Sequence, residues 1–115
     1  MQTLRTGQAL SLWHKTSCAQ VRNDDPDLTT RQLAILLTIY LEPPPHTVRG
    51  LAEKLDVTKP VITRALDSMG IRGLVKRRRD ENDRRNVLIQ RTVEGSQYLE
   101  RLGDLIADQA KEIPS

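Results

Sequence analysis

Apolar residues near the start of the chain recur at helical spacing and break off at clear points. Leu4, Leu12, Ala19 and similar apolar residues recur at mixed three- and four-residue steps, which predicts a helix over about residues 4–21. The polar, proline-bearing run Asn23-Asp24-Asp25-Pro26-Asp27 interrupts it. Thr29 or Thr30 then suits the N-cap of a second helix reaching about Tyr40. Leu33, Ile35, Leu36, Leu37, Ile39 and Tyr40 make this segment apolar almost all round, as expected of a central, buried helix. Pro43-Pro44-Pro45 ends it, because proline lacks an amide and disfavours helix in the residue before it.

Thr47 can cap the next helix, with Gly50 at its third position. Leu51, Ala52 and Leu55 form its inner face, and Asp56 and Val57 make a turn. Thr58 is placed to cap a following helix with Pro60 in its first turn, where a missing amide costs little. Val61 or Ile62, with Ala65, Leu66 and Met69, gives this helix its buried stripe, so Lys59, Thr63, Arg64 and Asp67 point outward. Gly70 and Gly73 are expected to break it. Residues 74–78 and 86–90 read as two strands around the polar loop 80–85. Val93 to about Lys111 reads as a last helix, with Leu99, Leu102, Leu105 and Ile106 on one face.

Two short helices joined by a tight turn have helix-turn-helix spacing, and the hairpin after them completes a winged helix. The predicted fold class is mainly α with a small β-hairpin (α+β), a winged helix-turn-helix with helical N- and C-terminal extensions. At 115 residues there is material for one core, so a single domain is expected over 1–115. Its parts are an N-terminal helix and linker (1–27), a DNA-binding core (28–92) and a C-terminal helix (93–115).

Charge changes the picture more than overall composition does. The net charge is +3, yet Arg72 to Arg91 holds eight basic and three acidic side chains, a local +5 that leaves −2 for the rest. A localised basic stripe is the footprint of a polyanion-binding surface. Trp13, Tyr40 and Tyr98 are the only aromatics, too few for the stacking platforms of single-strand and RNA readers, so duplex DNA is the expected partner. The major groove admits one α-helix. A helix opening at Thr58 and Lys59 would enter it N-terminus first, with Arg64 placed for a bidentate guanine contact. Pro60 and Val61 suit a thymine methyl, and Thr63 a base or phosphate. Protein-bound partners for Arg64 would be Asp67 or Glu53. Lys76, Arg78, Arg79 and Arg85 are phosphate contacts by type, although strand alternation turns some of them to the far face. Thr47 and Arg49 can hold flanking phosphates, and Asp83 between arginines suits an ion pair that sets the loop.

The run Leu51-Ala52-Glu53-Lys54-Leu55, with Thr58-Lys59-Pro60, Thr63-Arg64-Ala65-Leu66-Asp67, Gly73-Leu74-Val75, Asp80, Asp83-Arg84-Arg85 and Thr92 to Gly95, resembles the MarR family of bacterial transcriptional regulators. The resemblance spans roughly Leu28 to Leu99. It implies a repressor that blocks a promoter by occupying it, a minor-groove role for Arg84 at the hairpin tip, and a homodimer formed through the N- and C-terminal helices. The apolar residues on offer for pairing are Leu4, Leu10 or Leu12, and Trp13, with Leu99, Leu102, Leu105 and Ile106. The chain departs from the family at Arg91, where leucine is common, and one helix rather than two is evident after the wing.

Other chemistry finds little footing. His14 and Cys18 share a helix face, but His46 is the only other histidine, so neither a metal nor any cofactor is expected. Peroxide-sensing members of the family use a cysteine, whereas an inert, buried thiol is the expectation for Cys18, which also rules out an internal disulfide. No nucleophile motif or phosphate-binding glycine loop points to an enzyme. No segment has the length and apolarity of a membrane span or leader, so a cytoplasmic protein with no membrane partner is expected. No residue names a small-molecule effector. The competing function is a winged helix that docks an acidic protein through its basic hairpin.

Overall fold

The computed structural model describes residues 3–114. The chain divides into two compact units, residues 28–97 and residues 1–27 with 98–115. The elements run in order α1 (Thr6–Arg22), α2 (Thr30–Leu41), α3 (Val48–Leu55), α4 (Lys59–Ile71), β1 (Val75–Arg79), β2 (Val87–Arg91) and α5 (Val93–Ala110). Five helices and a two-stranded antiparallel hairpin in this order make a winged helix-turn-helix of α+β class.

In the unit 28–97, Thr29 settles the start of α2. Its hydroxyl accepts from the Gln32 amide while the Gln32 side chain accepts from the Thr29 amide, a reciprocal capping box. Ile35, Leu36 and Ile39 are fully buried, and Leu51, Ala52, Ile62, Ala65, Leu66 and Met69 continue the core through α3 and α4. Thr47 caps α3 by accepting from the Gly50 amide at 3.0 Å. Asp56 closes α3 in the left-handed conformation, φ 54° and ψ 49°, which aspartate tolerates better than most side chains.

Two local expectations for α4 are corrected. Thr58 holds the N-cap position, but its side chain makes no cap hydrogen bond. The usual donors are the second and third helical amides. Pro60 has none, and that of Val61 goes to the Thr58 carbonyl at 3.1 Å. Gly70 does not break the helix, which runs on to Ile71. The stop is Gly73, at φ 76°. There the Gly73 amide donates to the Gly70 carbonyl and the Leu74 amide to Met69, both at 3.0 Å, a Schellman closure that needs its left-handed residue at position 73.

The hairpin pairs Val75 with Arg91, Arg77 with Ile89 and Arg79 with Val87. Both strands therefore sit one residue later than the sequence suggests. Leu74 is taken by the helix stop, and the Asn86 amide by the loop, where it donates to Asp83 at 2.9 Å. On its other side β2 meets Thr47 through a bridge at Leu88, and the Ile89 amide donates to the His46 carbonyl. Among the described residues β1 has only β2 as a strand neighbour.

In the other unit, Thr16 is the buried residue of α1, while Leu10, Trp13 and Val21, and Leu4 before the helix, are exposed. Leu12 and Ala19, whose spacing predicts α1, lie half-buried on the same side as Thr16. Tyr98 and Leu102 are buried, and the Tyr98 hydroxyl donates to the Pro26 carbonyl. Arg101 grips Asp25 with two hydrogen bonds, at 2.9 and 2.7 Å. That hydrogen bonding holds the Arg101 pKa above its ordinary value against the desolvation that lowers it, with Coulombic attraction to Asp25 and Tyr98 adding to the rise. Among the described residues no helix is long and apolar enough to cross a membrane.

Candidate nucleic-acid interface

The first half of α4 presents Lys59, Pro60, Thr63 and Arg64 to solvent, with Val61 half-buried beside them. The burial of Ile62, Ala65, Leu66 and Met69 fixes this orientation, because residues on the opposite side of a 3.6-residue helix must then face out. Asp67 also lies outward and would place a carboxylate on the same surface. It is answered by Arg77, whose guanidinium reaches Asp67 Oδ1 at 2.8 Å and the Thr63 carbonyl at 3.3 Å. Arg77 was absent from the residues singled out in the sequence. Its signal was strand parity: it shares a face with buried Val75 and Ile89, so it turns toward α4.

Glu53 of α3 pairs with Arg49 at 3.4 Å. Both protein partners considered for Arg64 are therefore engaged elsewhere, and Arg64 makes no ion pair among the described residues. The same holds for Lys59, Lys76, Arg79 and Arg84, all exposed. Arg78 pairs with Glu81, and Arg85 with Asp83, each at 3.3 Å on the surface. Exposed pairs of this kind contribute about 0.2–1 kcal/mol, too little to withhold an arginine from a stronger anion.

Local hydrogen bonds shape the hairpin tip. Asp80 Oδ1 accepts from the Asn82 amide at 2.9 Å, and Asp83 Oδ1 from the Arg85 amide at 3.1 Å. These two side-chain turns mimic backbone turns and put Arg84 at the bend, exposed. Thr47 is less available than its neighbours, since its hydroxyl caps α3 and its backbone bridges Leu88.

A polar knot fixes where the hairpin leaves the helices. The Tyr40 hydroxyl accepts from the Thr92 amide and donates to the Leu74 carbonyl, both at 2.9 Å. Thr92 Oγ1 donates to the Gly73 carbonyl at 2.7 Å and accepts from the Gly95 amide at 2.9 Å. A Cβ on Gly95 would stand 2.8 Å from Tyr40 Cζ and closer still to the Tyr40 and Leu74 oxygens. This is the physical content of the Thr92-to-Gly95 stretch and of Gly73-Leu74. Arg91, opposite Val75, turns inward to the end of α2, where it donates to the carbonyls of Ile39 at 3.0 Å and Glu42 at 3.2 Å. A cation serving carbonyls left without helical partners suits a helix C-terminus. Arg91 itself stays exposed at the strand end.

Cys18 is free and half-buried rather than buried, and it lines a surface groove with His14, Lys15, Arg22, Gln109 and Glu112. Among the described residues no group of three or more His, Cys, Asp or Glu side chains could hold a metal.

Comparison with known proteins gives this geometry its relatives. The MarR family model matches residues 28–87. The transcriptional regulator Tm0710 from Thermotoga maritima superposes with a TM-score of 0.75 at 22% identity, over 91% of this chain and 71% of that one. The transcriptional regulator BldR from Sulfolobus solfataricus gives 0.65 at 28% identity, over 91% and 71%. S. aureus MepR, in a complex with DNA, gives 0.67 at 19% identity, over 89% and 75%.

Proposed function

From the premise that this chain belongs to the MarR family of transcriptional regulators, we propose that it is a sequence-specific duplex DNA-binding repressor acting as a homodimer. One observation carries the reading. Asp67 and Glu53, the carboxylates considered as partners of Arg64, are held by Arg77 and Arg49, and Lys59 and Arg64 meet solvent without an ion pair among the described residues. Lys76, Arg79 and Arg84 add exposed cations along the hairpin, without an ion pair among the described residues. The structural neighbour MepR was itself solved on DNA, which supports the same use of the fold.

Arg64 reads a guanine edge in the major groove, and a good bidentate contact discriminates by about 1–3 kcal/mol. Pro60 and Thr63 complete the reading edge, while the half-buried Val61 contributes less. Arg84 enters the minor groove, whose negative potential is greatest where it is narrow and A·T-rich. Lys76, Arg78, Arg79, Arg85, Lys59 and Arg49, with Thr58 and Thr47, hold phosphates and set register. Two copies place two such surfaces about one helical turn apart on a two-fold site. The exposed Leu10 and Trp13 of α1 supply the pairing surface more readily than α5, whose Leu102 is buried.

DNA selected from a random pool, followed by gel-shift measurements on folded variants, tests this. Arg64→Ala should weaken binding by about 1–3 kcal/mol and relax preference at one base position. Arg84→Ala should weaken it with little change in major-groove preference. Wild-type affinity in both variants removes the mechanism.

A further inference from the structure

Two arginines line one groove beside α4, on the side away from the hairpin. Arg31, in the first turn of α2, lines a groove of about 170 Å³ together with Arg64, Val61 and Ala65 of α4 and the capping residues Thr29 and Gln32. Arg31 and Arg64 make no ion pair among the described residues, and the first turn of α2 carries no acidic residue. Thr29 and Gln32 are committed to each other in the capping box, so the charge of this groove comes from the two guanidiniums. With Arg64 turned to the bases, Arg31 is complemented by an anion that accepts two hydrogen bonds at once.

The position of the groove selects the anion. An α-helix with its side chains is about 10–12 Å across, close to the roughly 12 Å width of the major groove, so a helix seated there has a phosphate rim on each side. Thr63 and Asp67 of α4 face β1, where Arg77 meets them. Val61 and Arg64 lie round the helix from these and face α2. We propose that Arg31 is a further DNA contact: beside the base-reading Arg64 it holds a backbone phosphate on the groove rim opposite the hairpin and fixes the depth and angle of α4. This rests on the DNA-binding reading above. It assigns Arg31 a positioning role and no share in base choice.

The test uses the full chain with a selected duplex and a mixed-sequence duplex, measured at several salt concentrations. Arg31→Ala should weaken both complexes by a similar factor and lower the salt slope by about 1. Raising salt from 50 to 200 mM should then cost the wild type about 3.5-fold more affinity than the variant, from about 0.9 per phosphate over a fourfold change. Arg31→Glu should weaken binding further while its melting temperature holds or rises, because glutamate suits the first turn of a helix. A purely structural Arg31 would move both readouts the same way. Wild-type affinity and slope in both variants overturns the inference while leaving the function standing. A loss confined to one sequence overturns it by making Arg31 a base reader. A wild-type chain that binds neither duplex overturns both proposals.

Discussion

Gly95→Ala should be the most damaging small substitution in the unit that carries the hairpin. The added methyl would overlap the Tyr40 hydroxyl and the Leu74 carbonyl, with Tyr40 Cζ at 2.8 Å. Relief requires Tyr40 to swing out or the Leu74 backbone to shift. The first route gives up the bonds from Thr92 and to Leu74, about 1 kcal/mol each, and leaves the Thr92 amide short of a partner. The second strains a packed junction, at about 1–3 kcal/mol. Alanine returns up to about 1 kcal/mol of helix propensity, so the net loss by the cheaper route is about 1–2 kcal/mol. For a chain this size that lowers the melting temperature by on the order of 10 °C, measurable by circular dichroism. Gly103→Ala is the matched control: it lies inside α5, is exposed, and its Cβ would meet nothing within 4 Å. It should gain about 0.5–1 kcal/mol. Tyr40→Phe combined with Gly95→Ala should be less damaging than the sum of the two, since the phenol oxygen is counted in both. If Gly95→Ala melts at or above the wild type, as Gly103→Ala should, the close approach at Gly95 is not what holds this junction.

Two further outcomes follow from the same contacts. Thr29→Ala should cost about 1 kcal/mol in urea unfolding because it dismantles the α2 capping box, whereas Thr58→Ala should cost well under half of that, its hydroxyl making no cap bond; equal losses would refute the account of α4's start. Arg77→Ala should weaken DNA binding by unmasking the Asp67 carboxylate, and adding Asp67→Asn should recover part of the loss; no recovery would mean that Arg77 acts on DNA directly.

Features written in short stretches of sequence were the legible ones. Thr47 and Thr29 announce their helices because an N-cap bonds within three residues. The outward set on α4 followed from the buried set at helical spacing. Thr58 misled because its cap fails on a neighbour's missing amide, and Gly70 because a glycine in sequence does not reveal its φ. Gly73 and Gly70 look alike until the Schellman bonds distinguish them. Arg77 and Arg91 were beyond local reading. Their partners, Asp67 on α4 and the Ile39 and Glu42 carbonyls on α2, are brought to them only by the fold. The strands slipped by one residue for a related reason, since Leu74 and Asn86 are claimed by turns that the apolar pattern does not encode.

The outer margin of β1 carries a consequence unrelated to recognition. Its amides and carbonyls on that side have no strand beside them among the described residues, which makes a ready seat for another chain's backbone. Lys76, Arg78 and Arg79 line that strand with like charge, so two such edges repel before they can zip together. Stripping several of them to alanine would therefore invite clumping as well as loosen any grip on a polyanion. Replacement by glutamate keeps the edges mutually repulsive while reversing the attraction, and is the cleaner way to silence this protein.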